Sequence, residues 1–168
     1  MNAFGLIFAS PAFPCVVVLG GLAFWLSIAV YNNLRDAGTN VHLLGLMFRM
    51  DLIREDPNLG NGLQYRARMN PNSAINALRA GVAVQIIVAL LLWIATAAIL
   101  AWWFDVINRD VALATANLAI VGFLGLWTFF LCGGLWFGYW MKMPQVQQVH
   151  LSLFTIALIA FVLIGRVA

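Results

Sequence analysis

One apolar stretch, residues 74–104, reads AINALRAGVAVQIIVALLLWIATAAILAWWF, and no charged side chain occurs in it after Arg79. A helix needs about 20 predominantly apolar residues to cross the hydrocarbon core of a bilayer. The stretch exceeds that length, and it ends in the aromatic residues 102–104, which prefer the membrane–water interface. It therefore predicts a transmembrane helix.

Three further apolar stretches predict spans at residues 12–31, 111–140 and 151–164. Only six residues, 105–110, separate the second span from the third, so these two helices must form an antiparallel hairpin. The predicted fold is an all-α bundle of four transmembrane helices in a single domain, residues 1–168. A long, partly helical loop at 32–73 connects the first two helices. Prolines precede the first apolar run and no basic segment does, which favours a retained helix over a cleaved signal peptide.

The composition excludes a soluble globular protein. Hydrophobic residues make up 64% of the chain and charged residues 9%, with a mean hydropathy of +0.94. Such a chain would expose large apolar patches to water. The net charge of +3 does not indicate a nucleic-acid partner, because the loop arginines alternate with acids such as Asp51 and Asp56. A loop beside the membrane is the interpretation we adopt.

Of the two cysteines, Cys15 lies at the start of the first span and Cys132 lies late in the third. We therefore expect them at opposite membrane faces. That separation is too large for a disulfide, and neither cysteine belongs to a C-x-x-C motif that would indicate zinc or redox chemistry. We interpret both as small apolar residues that fill space in a helix.

The 32–73 loop holds most of the charge: ten of the fifteen charged side chains lie between Arg35 and Arg79, and all of these except Arg79 belong to the loop. Within it, residues 41–53 predict a short interfacial helix with a narrow polar strip, and Thr39 or Asn40 is expected to cap that helix. We expect the loop to bind a partner. The predicted interaction residues are Asn33, Asp36, Gly38, Thr39, Asn40, Met50, Asp51, Tyr65, Arg66 and Pro71.

Small and aromatic residues predict the surfaces on which helices pack. Small residues let backbones approach closely in lipid, and Gly134 and Gly138 form a G-x-x-x-G motif on the third predicted span. The predicted packing and interface residues are Trp93, Gly133, Gly134, Trp136, Phe137, Gly138 and Trp140.

Several motifs together resemble a family of bacterial predicted small integral membrane proteins of unknown function that have four spans. They are N-L-x-D-x-G-T-N at 33–40, M-D at 50–51, an aromatic-R-A at 65–67 shortly before Pro71, Trp93 in the second span, and G-G-x-W-F at 133–137. The resemblance covers nearly the whole chain. It implies a multi-pass protein of the bacterial inner membrane.

The chain departs from that family pattern at its ionisable positions. Leu135 stands where the pattern has a glutamate, and Gln85 stands at a second acidic position. Leu46, Ala74 and Ile75 stand at histidine positions. Ionisable groups at membrane depth are costly and are usually kept for function. The resemblance, without these groups, implies a scaffold or accessory role.

The basic residues predict the orientation in the membrane. Seven of the nine lysines and arginines lie on the face with the long loop and the connection between spans three and four; the other face has only Arg109 and Arg166. Lysine and arginine concentrate on the cytoplasmic side, which predicts a cytoplasmic loop and periplasmic termini. The resemblance implies the opposite orientation, because the family has a basic N-terminus and a basic connection between spans two and three.

Histidines and methionines near the loop raise the possibility of a copper site, because Cu(I) accepts thioether and imidazole ligands. The candidate ligands are His42, Met47, Met50, Met69, Met141, Met143 and His150. The alternative interpretation is that methionines are flexible apolar filler and histidines are ordinary polar residues at helix ends. We adopt that alternative and predict no metal and no cofactor.

The sequence contains no catalytic triad, phosphate-binding glycine loop or H-E-x-x-H motif. The function that we predict is a non-catalytic accessory or structural subunit of a larger bacterial membrane complex, such as an energy-converting or oxidoreductase complex. Its partners are other membrane subunits and phospholipids, and not nucleic acid. The alternative is a free-standing small-solute transporter or channel, or a copper-handling membrane protein.

Overall fold

The computed structural model describes residues 10–167, and over that range the protein is helical and contains no β-strand. The helices are α1 (Ala12–Arg35), α2 (Ala37–Arg49), α3 (Asp51–Arg54), α4 (Asn72–Trp103), α5 (Arg109–Trp136) and α6 (Pro144–Val167), with short 3₁₀ helices at Gln64–Arg66 and Tyr139–Met141. Four of them, α1, α4, α5 and α6, are long and apolar enough to cross a membrane. The predicted all-α class with four candidate transmembrane helices is confirmed.

The four long helices alternate in direction along the chain. Helix α1 packs on α4, α4 on α5 and α5 on α6, and α6 contacts α1 again. The long loop and the α5–α6 connection therefore lie at one end of the bundle, which we call the loop face. The α4–α5 turn lies at the other end, the hairpin face, where the Arg109 guanidinium donates to the Val167 carbonyl.

Small residues allow the helices to approach closely in the core. Buried alanines recur at helical spacing on α5 and α6: Ala112, Ala116, Ala119, Ala157 and Ala160. Lipid tails are as apolar as leucine, so helices in a membrane associate through close packing and interhelical hydrogen bonds instead of the hydrophobic effect. The larger buried side chains, such as Phe123 and Leu92, fill the space that remains.

Two polar contacts join α1 to α4. The indole Nε1 of Trp93 donates to the Ser27 hydroxyl at 3.1 Å, and the Asn33 amide donates to Gln85 Oε1 at 2.8 Å. Gln85 is buried, so its carbonyl needs this partner. The two bonds lie at different levels of the α1–α4 interface and fix the register of the two helices.

Three boundaries of the long helices lie four or more residues from the predicted spans, and the first is the end of α1, at Arg35 instead of 31. Helix α5 ends at Trp136 and not at residue 140, because Gly138 adopts φ 63°, a left-handed conformation that commonly terminates helices. Gly134 and Gly138 therefore do not lie on one helical ridge, as the predicted G-x-x-x-G motif requires. Helix α6 begins at Pro144 and not at 151, because proline suits the first turn of a helix.

The predicted helix 41–53 is two helices in the structure, α2 and α3. Met50 between them adopts φ 56° and ends α2. The cap of α2 is Asp36, and not Thr39 or Asn40 as expected. Its Oδ1 accepts a hydrogen bond from the Thr39 N–H at 3.3 Å, since an aspartate before the first turn can satisfy an otherwise unpaired backbone donor.

We expect the Trp93–Ser27 hydrogen bond to contribute about 0.6 kcal/mol to stability, and at most about 1.7 kcal/mol, as interhelical bonds in membranes do. A double-mutant cycle of Trp93→Phe and Ser27→Ala, followed by unfolding in mixed detergent–SDS micelles, measures this coupling. Thr128→Ala is the matched control, because the Thr128 hydroxyl donates only within its own helix, to Leu124. Additive effects of Trp93→Phe and Ser27→Ala would show that the bond contributes nothing.

Candidate functional site

The loop face carries the net charge of the protein. It has Lys142 and six of the eight arginines against four acids, whereas the hairpin face and the adjoining helix ends have two arginines and two aspartates. The entire net charge of +3 therefore belongs to the loop face. Within residues 10–167, two ion pairs form, and both are here: Arg49 with Asp51 at 2.7 Å and Lys142 with Asp56 at 3.0 Å.

Arg49 joins the end of α2 to the start of α3. Its guanidinium folds back over Gly45, where an added Cβ would be only 2.9 Å from Nη1. Its Nε donates to Asp51 Oδ2, and Asp51 lies in the first turn of α3, where the helix dipole favours an acid. The pair therefore bridges the break at Met50.

The rest of the loop folds back on α2 and α3. The Arg68 N–H donates to the Phe48 carbonyl at 2.7 Å, which returns the chain toward α2. Gly60 has φ 64° and lies directly on Ile53: a Cβ at this position would be 2.4 Å from Ile53 Cγ2. Glycine is therefore required here both for its backbone conformation and for the close approach.

An ion pair and an aromatic pair hold the loop against residues 137–143. Asp56 Oδ2 accepts from Lys142 Nζ, and the rings of Phe48 and Phe137 have centroids 4.7 Å apart. The Asn58 backbone N–H and the Lys142 ammonium hold the pKa of Asp56 below its ordinary value of 3.8. Because exposed ion pairs add little stability, the aromatic contact supplies more of the attachment and the ion pair orients it.

Arg66 covers the end of α5. Its guanidinium lies 4.4 Å from the ring centroid of Trp136, and its Nη1 donates to the Trp136 carbonyl at 3.1 Å. The last carbonyls of a helix have no partner within the helix and carry partial negative charge. Arg66 therefore provides a charged cap for α5, and this contact also ties the loop to the bundle.

Tyr139 anchors the α5–α6 connection in an aromatic cluster. Its ring packs so closely on Gly134 that a Cβ there would be 1.5 Å from Tyr139 Cε1. Its hydroxyl is hydrogen-bonded to His150 Nδ1 at 3.0 Å, and the His150 ring contacts Trp127 and Phe130. Burial raises the pKa of Tyr139 above 10.0, so the hydroxyl stays protonated at neutral pH.

A small apolar cavity lies between the loop and the α5–α6 connection. Its volume is about 10 Å³, and three methionines line it: Met47 of α2, Met50 at the helix break and Met143 before α6. Phe137 and Tyr139 contribute aromatic walls. The structure therefore brings together three of the seven candidate copper ligands.

The other four candidates lie elsewhere. His42 is exposed on α2, and Met69 accepts a weak hydrogen bond from Arg54. Met141 lies against Gly138, and His150 is occupied by Tyr139. Within residues 10–167, no three His, Cys, Asp or Glu side chains could hold a metal ion together, and both cysteines are free.

Many of the predicted interaction residues have roles inside the protein. Asn33 pairs with Gln85, Met50 is buried, and the Asn40 amide donates to the Asp36 carbonyl. Gly38 is exposed, and Pro71 precedes α4. Tyr65 is 77% exposed and is available to a partner.

Among the predicted packing and interface residues, Gly133 faces open space. Trp136 and Trp140 are exposed at the loop face.

Several contacts of the site were not predicted from the sequence. Phe48, Asp56 and Ser27 were not singled out, although each joins two separate elements. Asp56 and Lys142 are 86 positions apart, and no local spacing signals such a pair. Only the aromatic identity of Phe48 could have suggested a role.

A second surface lies on the outer side of α6. A shallow, open groove along this face is lined by Gln148, Leu151, Ser152, Thr155 and Ile156. Its polar members are exposed on the side of α6 that faces away from the buried positions of that helix. The Thr155 hydroxyl donates within the helix to Leu151. Among the described residues, the Gln148 and Ser152 side chains have no hydrogen-bond partner in the protein.

A comparison with known protein families finds a match over most of the chain. Residues 13–166 match a family described as predicted small integral membrane protein, DUF2165. The chain belongs to this family. The predicted membership in a family of small integral membrane proteins is confirmed, and DUF2165 proteins are an integral membrane family of unknown function. No curated protein and no solved structure matches the chain.

We expect Gly134→Ala to destabilise this DUF2165 protein by about 1–3 kcal/mol, the usual effect of overpacking, because the added methyl group collides with Tyr139. Gly133→Ala is the matched control: it is the neighbouring residue of the same helix, and its Cβ would meet open space. This control should stay within about 1 kcal/mol of the parent. Unfolding in mixed detergent–SDS micelles measures both, and equal stability of the two variants would contradict the placement of Tyr139.

Proposed function

We propose that the protein is a non-catalytic accessory subunit of a larger membrane complex. The observation that carries this proposal is the pair of unpartnered polar side chains, Gln148 and Ser152, in the α6 groove. A helix surface that faces only lipid is expected to be apolar, and polar side chains such as glutamine and serine commonly bond across helix interfaces. A helix of another subunit in this groove would give Gln148 and Ser152 their missing partners.

The construction of the loop face supports the same proposal. The loop is fastened to the bundle by Arg66, Phe48 and the Asp56–Lys142 pair, so it presents a defined surface. Its exposed side offers an aromatic ring at Tyr65 and cations at Arg54 and Arg68. Aromatic residues and arginine are enriched where proteins bind one another. We propose that this surface contacts the extramembrane part of the same partner complex.

Site-specific photo-crosslinking in the native membrane tests the proposal. A photoreactive amino acid at Thr155 lies in the α6 groove, and the same amino acid at Val121 is the matched control on the exposed side of α5. We expect Thr155 to give a crosslinked product of larger mass and Val121 to give none. Solubilisation in mild detergent should then show the protein migrating together with the crosslinked partner.

The opposite results would contradict the proposal. If neither position crosslinks and the solubilised protein has the mass of a single chain, the accessory role is wrong. Solute uptake by liposomes that contain only this protein would favour the alternative of a free-standing transporter.

We further propose that the protein lies in the bacterial inner membrane with the loop face in the cytoplasm. The charge difference between the two faces supports this orientation, because lysine and arginine concentrate on the cytoplasmic side. Anionic phospholipids of the cytoplasmic leaflet attract such basic segments by about 1 kcal/mol per residue near the surface. We expect the unpaired arginines of the loop face to contact these lipids.

Cysteine labelling tests the orientation. In a Cys132→Ser background, Tyr65→Cys places a thiol at the loop face and Val106→Cys places one at the hairpin face; both positions are highly exposed, and the remaining Cys15 is buried. A membrane-impermeant maleimide added to intact spheroplasts should label the Val106→Cys protein and leave the Tyr65→Cys protein unlabelled. The reverse pattern would place the loop in the periplasm.

A further inference from the structure

Three methionines line one cavity at the loop face. Met47 belongs to α2, Met50 forms the break before α3, and Met143 precedes α6. Met143 is separated from the other two by two transmembrane helices in the sequence, so only the tertiary structure brings it to them. Methionine has a flexible side chain, and each sulfur can therefore turn toward the cavity without movement of the backbone.

The size and chemistry of the cavity select among possible ligands. Its volume of about 10 Å³ is at the lower limit for one water molecule, and its surface is apolar. A water molecule needs two or more polar partners, and this surface does not supply them. A bare monovalent copper ion is smaller than water and accepts neutral thioether ligands. Magnesium and calcium require oxygen ligands, and structural zinc is held by thiolate and imidazole ligands.

The electrostatic surroundings are compatible with a monovalent cation. Lys142 lines the cavity, but its ammonium is paired with Asp56 at 3.0 Å, which offsets its repulsion of a second cation. The aromatic residues Phe137 and Tyr139 also line the cavity, and aromatic rings attract cations through their faces. A monovalent ion therefore fits here better than a divalent one.

The backbone segments that carry the three methionines are already held in place. The Met50 N–H donates to the carbonyls of Leu46 and Met47, and Met50 is 1% exposed. The Met143 N–H donates to the Tyr139 carbonyl at 2.8 Å. A ligand whose binding reorders only these side chains, and not the backbone, loses less free energy to ordering.

Although the sequence alone led us to predict no metal, we propose from the shared cavity that Met47, Met50 and Met143 form a binding site for one Cu(I) ion, held by their three thioether sulfurs. The site is separate from the α6 groove and does not depend on the accessory role proposed above. It joins α2 to the start of α6, so a bound ion would fasten the loop to the bundle.

Competition for Cu(I) with the chelator bicinchoninic acid, under anaerobic conditions and with the full chain in detergent, tests the proposal. We expect one Cu(I) per chain, competition by Ag(I) and none by Zn(II). Because thioethers do not take up protons, the affinity should be nearly constant between about pH 5 and 8, in contrast to sites that use histidine or cysteine. X-ray absorption of the copper-loaded protein should show sulfur neighbours and no nitrogen neighbours.

Leucine substitutions remove the sulfurs and keep the apolar volume. Loss of an outer-shell partner weakens metal binding roughly 10- to 100-fold. Because these methionines are the proposed ligands themselves, we expect Met50→Leu and Met143→Leu each to weaken Cu(I) binding by at least that factor. Met69→Leu and His42→Gln are the matched controls, because these candidate ligands lie outside the cavity lining, and they should bind as the parent does.

Three results would overturn the proposal: no binding by the folded parent protein, nitrogen neighbours in its absorption spectrum, or equal loss of affinity in the Met69→Leu control. The spectrum of the parent protein decides the matter even if the leucine variants fold poorly. Failure of the crosslinking experiment at Thr155 would leave these copper measurements unaffected, so the two proposals can fail separately.

Discussion

Close contact between helices at small residues is the constraint on which the structure depends. In lipid, apolar side chains gain little by leaving their surroundings, so helices must gain from packing. The buried alanines of α5 and α6 permit that approach, as does Gly122, where a Cβ would be in ordinary contact with Leu91 and Val88 at 3.8 Å. The packed bundle in turn fixes the positions of the helix ends from which the loop face is built.

Two residues with left-handed backbone conformation, Gly138 and Met50, end helices at the loop face. Gly138 ends α5, and residues 139–143 then turn toward the loop. Met50 ends α2 and separates it from α3. Had α5 continued as a helix through Gly138, Lys142 would lie about 9 Å beyond Trp136 along the helix axis. In that position it would be away from Asp56. The break therefore creates the contacts that hold the loop as well as the cavity lined by three methionines.

The two proposed sites lie in different parts of the protein: one is on helix α6, and the other is beside the long loop. The α6 groove lies on the outer side of α6 and has polar side chains that we propose bind another helix. The methionine cavity lies between the loop and the α5–α6 connection. Both involve the first half of α6, the groove on its outer side and the cavity at its start. An ion that fastens this region would also support the helix on which a partner is proposed to bind.

The fold class followed from the sequence alone, because the length and apolarity of a stretch decide whether it can cross a bilayer as a helix. The concentration of charge at one end was equally readable, since it needs only the order of the spans. The break at Met50 carried no signal, because methionine has no preference for left-handed backbone. Gly138 did offer a signal, because glycine often ends helices. The sequence analysis instead interpreted this glycine as part of a G-x-x-x-G motif on a continuous helix.

The site itself was decided by tertiary structure. Seven candidate ligands could be named from their chemistry, but which three share a cavity depends on how α2 and the α5–α6 connection pack together. Likewise, Arg66 and Trp136 lie 70 positions apart, and Asp56 and Lys142 lie 86 apart. Hydropathy and helical spacing describe neighbours along one segment; partners on different segments are chosen by shape, charge and the ends of helices.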